Sequence, residues 1–115
     1  MELPHDLMTQ AYIAQNGEPA WRKQDALNVI HWATRANVAV FGVEVWLPTT
    51  PGPTIPMPYF YSYDCEPQKD EDWHEFVKRA NTGAGEYVAR FDWDPNDIAH
   101  FSKEPFFNLT LGDEQ

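Results

Sequence analysis

Between residues 48 and 58 the chain reads PTTPGPTIPMP, and five of these eleven residues are proline. Proline lacks an amide hydrogen and has a fixed φ, so no helix interior or inner strand crosses this stretch. It must be a surface connection with stiff, extended pieces, and it separates the regular structure into an earlier and a later set. Its length is near the upper end for a connection without regular structure, where loops tend to take part in function.

Before the proline segment, two stretches carry helical spacing. Residues 4–15 begin with Pro4 in a first-turn position, place Leu7, Met8, Ala11 and Tyr12 on one face, and stop at Asn16-Gly17. Residues 19–36 place Ala26, Leu27, Val29, Ile30, Ala33 and Ala36 on a broad apolar face. VAVFGVEVWL, residues 38–47, is β-branched and aromatic and reads as a strand. Its alternation changes phase at Gly42: Val38 and Val40 point one way, Val43, Val45 and Leu47 the other. Two arrangements fit, a central strand buried on both faces or a bulge at Gly42, and the central strand is the one expected here.

After the proline segment, YFYSYD (59–64) is a second strand, and an acidic turn leads to a helix over 71–91. There Trp73, Phe76, Val77, Ala80, Ala84, Tyr87, Val88 and Phe91 recur at steps of three and four through Gly83 and Gly85. The stripe predicts one helix, with Gly83 as the place for a kink. FFNLTL (106–111) alternates as a last strand, followed by an acidic tail expected to fray. The order α-α-β-β-α-β predicts an α+β fold in one domain, 1–115: a small three-stranded sheet with about three helices packed mainly on one face.

Charge narrows the partners. Eighteen acids against eight bases give a net charge of −10. Nucleic acid and anionic membrane would repel such a chain, whereas a basic protein would complement it. With one cysteine, Cys65, no internal disulfide forms, and MELPHDLMTQ lacks the basic-then-apolar pattern of a signal peptide. A cytoplasmic location is the expectation.

Motifs for chemistry are sparse. Asp92, Asp94 and Asn96 match positions 1, 3 and 5 of an EF-hand loop, but Asp97 replaces the required glycine and Lys103 the required glutamate. DPNDIAHF, residues 94–101, reads better as a capped helical turn, with Asp94 as cap and Pro95 in the first position. His5, His31, His74 and His100 offer no pair at helical ligand spacing. Cys65 could meet His74 or His100, but it stands among Asp64, Glu66 and Asp70, an environment that opposes the thiolate a nucleophile needs. Neither a metal nor a cofactor is expected. Glu44 interrupts an apolar strand. It is either a catalytic or anchoring acid or, as expected here, an acid at a strand end that reaches water or pairs with an arginine such as Arg35 or Arg90. A small enzyme or ligand-binding domain with its pocket near Glu44, Cys65 and His100 is the alternative reading.

What remains is surface. Residues 64–75 carry six acids against one lysine, with Tyr59, Tyr61 and Tyr63 before them and Trp73 inside. Either the tyrosines cover the sheet and the acids solvate a helix start, or the stretch is a protein-binding face, where aromatics supply contact area and acids steer a basic partner. On the second reading Asp64, Glu66, Asp70, Glu71 and Asp72 steer, and Trp46, Tyr61 and Tyr63 make contact.

DALNVIHWA, the glycine-bearing strand VAVFGVEVW, the Trp-led helix ending in GEYVARF, and the terminal FFNLTL together resemble the small bacterial immunity proteins that accompany polymorphic toxins. The likeness spans roughly residues 20–111 and lies in the pattern of elements. It implies a cytoplasmic, non-enzymatic inhibitor that occludes a toxin domain, and many such toxins are basic.

Overall fold

The computed structural model describes residues 2–46, 61–93 and 104–114. In chain order the elements are α1 (His5–Thr9), β1 (Tyr12–Ile13), β2 (Pro19–Arg22), α2 (Lys23–Arg35), β3 (Ala39–Trp46), β4 (Ser62–Asp64), α3 (Trp73–Arg90) and β5 (Phe106–Gly112). The sheet has five strands in the order β1-β2-β5-β3-β4, with each neighbouring pair antiparallel. The class is the α+β class expected, but the three-stranded sheet is corrected to five.

The two additional strands come out of stretches that carry helical spacing. Asn16-Gly17 does not end a helix; it closes a hairpin. Ala14 and Glu18 face each other, with the Ala14 amide donating to the Glu18 carbonyl at 2.9 Å, and Gly17 donates back to Ala14 at 2.9 Å. Gly17 adopts φ 88°, the left-handed geometry that completes a three-residue hairpin loop. The Asn16 side chain accepts from the Glu18 amide at 3.0 Å and fixes the turn. Beyond it, Trp21 is fully buried, its ring N–H donating to the Leu7 carbonyl at 2.9 Å, so Pro19–Arg22 stays extended and α2 starts only at Lys23.

Helices α2 and α3 cover the sheet face that carries Trp21, Val43, Val45, Phe107 and Leu109. Ala26, Val29, Ile30 and Ala33 of α2 and Ala84 and Val88 of α3 complete that core. The phase change in β3 is a bulge in an inner strand: β3 lies between β5 and β4, and it sends Ala39 into a second buried cluster with Cys65, Phe76, Val77 and Ala80. Val40 pairs with Leu111 and Gly42 with Thr110, leaving Phe41 as the additional residue. The bulge returns Val38, Val40, Val43 and Val45 to one cluster.

Asn81 serves this irregular strand. It sits in the apolar stripe of α3, is 2% exposed, and faces the start of β3. Its side-chain oxygen accepts from the Val40 amide at 2.8 Å, and its NH2 donates to the Val38 carbonyl at 2.9 Å and to the Thr34 hydroxyl at 3.0 Å. Three elements are thereby joined through one amide. An aliphatic residue there would leave two buried backbone groups unpaired, at about 1–3 kcal/mol each.

The third helix is continuous from Trp73 to Arg90 and does not break at Gly83. Asp72 and Glu75 close its first turn as a reciprocal pair: the Asp72 carboxylate accepts from the Glu75 amide at 2.8 Å and the Glu75 carboxylate from the Asp72 amide at 3.1 Å. Gly83 is present for contact. A Cβ there would overlap the Tyr63 hydroxyl, which donates to the Ala80 carbonyl at 3.1 Å.

Candidate protein-binding face

The stretch from β4 to the start of α3 places the predicted residues in two groups. Asp64, Glu66 and Asp70 are exposed. Glu71 and Asp72 serve the fold: Asp72 caps α3, and Glu71 accepts from Arg79 through two bonds of 2.8 Å and from the Gln68 amide at 3.0 Å. The Arg79 guanidinium, with that amide second, holds the Glu71 carboxyl down to about 2. Asp70 takes φ 67°, a left-handed position that short polar side chains tolerate best.

Arg79 is the residue that reading the sequence missed. Besides Glu71, it donates to the Glu66 carbonyl at 2.7 Å and to the Cys65 sulfur at 3.1 Å, and its guanidinium lies 5.6 Å from the centre of the Phe76 ring. One side chain thus ties the loop 65–71 to α3. Glu71 precedes the helix, so no helical spacing links the pair, and the sequence carries no signal for it.

The aromatic residues also divide. Tyr61 is half-buried, edge-on to Phe91 at 5.6 Å and to Trp93 at 5.2 Å. Tyr63 lies against Gly83 and, at 6.0 Å, Tyr87. Burial first, and its interaction with Cys65 second, push the Tyr63 hydroxyl up to about 12. Burial likewise raises Tyr87. Trp46, expected to offer contact area, is only 2% exposed. It ends β3 opposite Phe106, and an enclosed indole has no area to present.

Among the described residues, Glu44 and Cys65 share no pocket. Glu44 is half-buried opposite Ser62 and Asn108, while the Cys65 amide bonds to Phe41, further along β3. Of the arginines considered for Glu44, Arg90 lies 3.6 Å from Glu86. His100 and the turn DPNDIAHF lie outside the described residues, as does the proline segment. Among the described residues no group of three His, Cys, Asp or Glu is placed to hold a metal ion, and no helix is long and apolar enough to cross a membrane.

Two open grooves flank α3. One, of about 610 Å³, runs along its C-terminal half, between Tyr61, Tyr63, Tyr87 and Phe91, with Glu86, Arg90 and Asp92 beside them. The other, of about 440 Å³, lies at its N-terminus. Phe41, Trp73 and Phe76 line it with rings 5.4–6.1 Å apart. Glu71, Asp72, Asp113 and Glu114 bring four carboxylates to the same groove. The tail expected to fray therefore contributes here: β5 extends to Gly112, opposite Ala39, and delivers Asp113 and Glu114 beside Phe41.

No curated protein and no solved structure matches this chain. A family profile described as Immunity protein 40 matches residues 11–110, from β1 into β5, which includes both helices of the core and the loop held by Arg79. The chain belongs to the Immunity protein 40 family.

Proposed function

We propose that this chain is a non-enzymatic inhibitor that binds a basic toxin domain and neutralises it by occlusion. The observation that carries the reading is the group of carboxylates at the surface, Asp64 at the end of β4 and Glu66 and Asp70 on the loop that Arg79 ties to α3. A rigid loop loses little conformational entropy on association. Exposed acids attract a cationic partner at long range and raise the rate of encounter. Tyr61 lines the groove at the other end of α3 and is no part of this face. Glu71 and Asp72 add negative potential from fixed positions, and Tyr63 acts by bracing β4 against α3.

The test is a combined variant, Asp64→Lys, Glu66→Lys and Asp70→Asn, the last chosen because asparagine keeps the left-handed backbone at low strain. The probe is the inactivated cognate toxin domain, measured by surface plasmon resonance. The expected result is an association rate lower by about 10-fold or more at low salt, converging with wild type as salt screens the charges, with an unchanged far-ultraviolet circular dichroism spectrum. Unaltered kinetics in a folded variant would remove this face from the interface.

A further inference from the structure

The groove at the N-terminus of α3 combines two features that ordinary surface lacks. Its floor is aromatic: half-buried Phe41 and Trp73 form the surface, and both are in ring contact with Phe76, which is buried behind them. Its charged lining residues are all acids. The Glu71 charge is balanced by Arg79, which leaves Asp72 and Glu114 to set the sign of the site. An anion is disfavoured although a helix N-terminus is near, because the capping pair already occupies the amides of Asp72 and Glu75. Trp73 is held in place by its ring N–H, which donates to the Asn37 carbonyl at 2.9 Å.

We propose that this groove receives an arginine side chain of the toxin domain, stacked on the aromatic floor and bonded to the carboxylates, Glu114 among them. The proposal rests on the toxin-binding reading and names the contact that gives it residence time. The occupant follows from charge complementarity and from the chemistry of the floor. A planar guanidinium stacks on aromatic faces and forks onto carboxylates, whereas a lysine ammonium is a compact, strongly hydrated point charge. The molecule contains an example of the same recognition: Arg79 lies over the Phe76 ring while bonding to Glu71. Exposed acids at 64, 66 and 70 govern encounter, and the groove governs release.

The experiment has two arms. In the first, Glu114→Gln and Glu114→Arg are compared with wild type against the inactivated toxin domain. The expected result is faster dissociation in both, by about 10-fold or more for Glu114→Arg, with a smaller change in association. In the second, the free protein is titrated with N-acetyl-arginine methylamide and with its uncharged isostere N-acetyl-citrulline methylamide, following the Trp73 indole proton by NMR. The arginine compound is expected to shift it, and the citrulline compound to leave it in place. Wild-type binding with unchanged dissociation in Glu114→Arg would overturn the groove while the toxin-binding reading stands. Failure of wild type to bind the toxin domain would overturn that reading itself. Equal shifts from both compounds, no shift from either, or an indole shift that follows protein concentration alone, as a second copy of this chain would produce, would also overturn the arginine assignment.

Discussion

Helix α3 carries a groove at each end, and the two differ in charge more than in the character of their walls. The C-terminal groove is built from Tyr61, Tyr63, Tyr87 and Phe91, and its charges are of both signs: Glu86 and Arg90 stand one turn apart at 3.6 Å. The N-terminal groove is also aromatic, but its charged lining residues are Glu71, Asp72, Asp113 and Glu114. A net charge of −10 is therefore not spread evenly over the molecule. Aromatic area alone does not distinguish a recognition face from a sheet cover, because both ends have it. The ends differ in degree: the C-terminal groove sets Glu86 and Asp92 against Arg90, whereas the N-terminal groove has four carboxylates and no base among its lining residues. The acids themselves divide in the same way: Glu71 and Asp72 hold the loop and the helix start, while Asp64, Glu66 and Asp70 face water.

Substitutions probe the two halves of the helix separately, and within the C-terminal half the two glycines give the largest contrast. Gly83→Ala would drive a methyl group into the Tyr63 hydroxyl, whereas Gly85→Ala would enter open space. The first displaces a ring whose hydroxyl bonds to Ala80, an overpacking cost of about 1–3 kcal/mol against a helix-propensity gain of about 1 kcal/mol. A fall in Tm of up to ~10 °C is expected for Gly83→Ala. For Gly85→Ala only the propensity remains, and a gain of about 0.5–1 kcal/mol is expected. Calorimetry on the pair decides the matter, and equal effects would show that Tyr63 does not depend on Gly83.

At the N-terminal half the sharper probe is Arg79→Met. The Glu71 carboxyl, held near about 2 in the wild type, should return toward its ordinary 4.5 once the guanidinium is gone, as followed by carboxyl NMR. The sign for stability follows from linkage. A carboxyl depressed in the folded state stabilises above its unfolded value, and that contribution is lost as pH falls toward its folded value. The wild type should therefore lose stability between about pH 5 and pH 2 through this group, and the variant should lose less over the same window. A Glu71 that titrates identically in both proteins would mean that Arg79 does not fix this loop.

Elements whose own residues carry their pattern were legible in the sequence. The stripe from Trp73 to Phe91 foretold α3 through two glycines, and β3 and β5 followed from alternation. The hairpin β1–β2 was not legible as strands because Leu7, Met8, Ala11 and Tyr12 mimic a helical face. Its sheet partner, Phe107 opposite Trp21, also lies far away in the chain. The Asn16-Gly17 pair was the one local signal for the turn. On the candidate face, sequence order put all five acids of 64–72 together. It could not tell which of them serve the fold, since Glu71 does so only because Arg79 reaches back from within α3, and Asp72, though exposed, caps the helix. Asp113 and Glu114 looked like a solvated tail because only the pairing of β5 with β3 carries them to Phe41. Trp46 looked like contact area because aromatic character alone does not reveal burial.

Hydrogen–deuterium exchange on this chain with and without the inactivated toxin domain tests the central claim most directly. The account predicts that protection gained on binding concentrates in residues 64–73 and 112–114, around the acidic groove, with little change over residues 83–92. Protection centred instead on the tyrosine groove at the C-terminal half of α3, or absent from the acidic end, would contradict it.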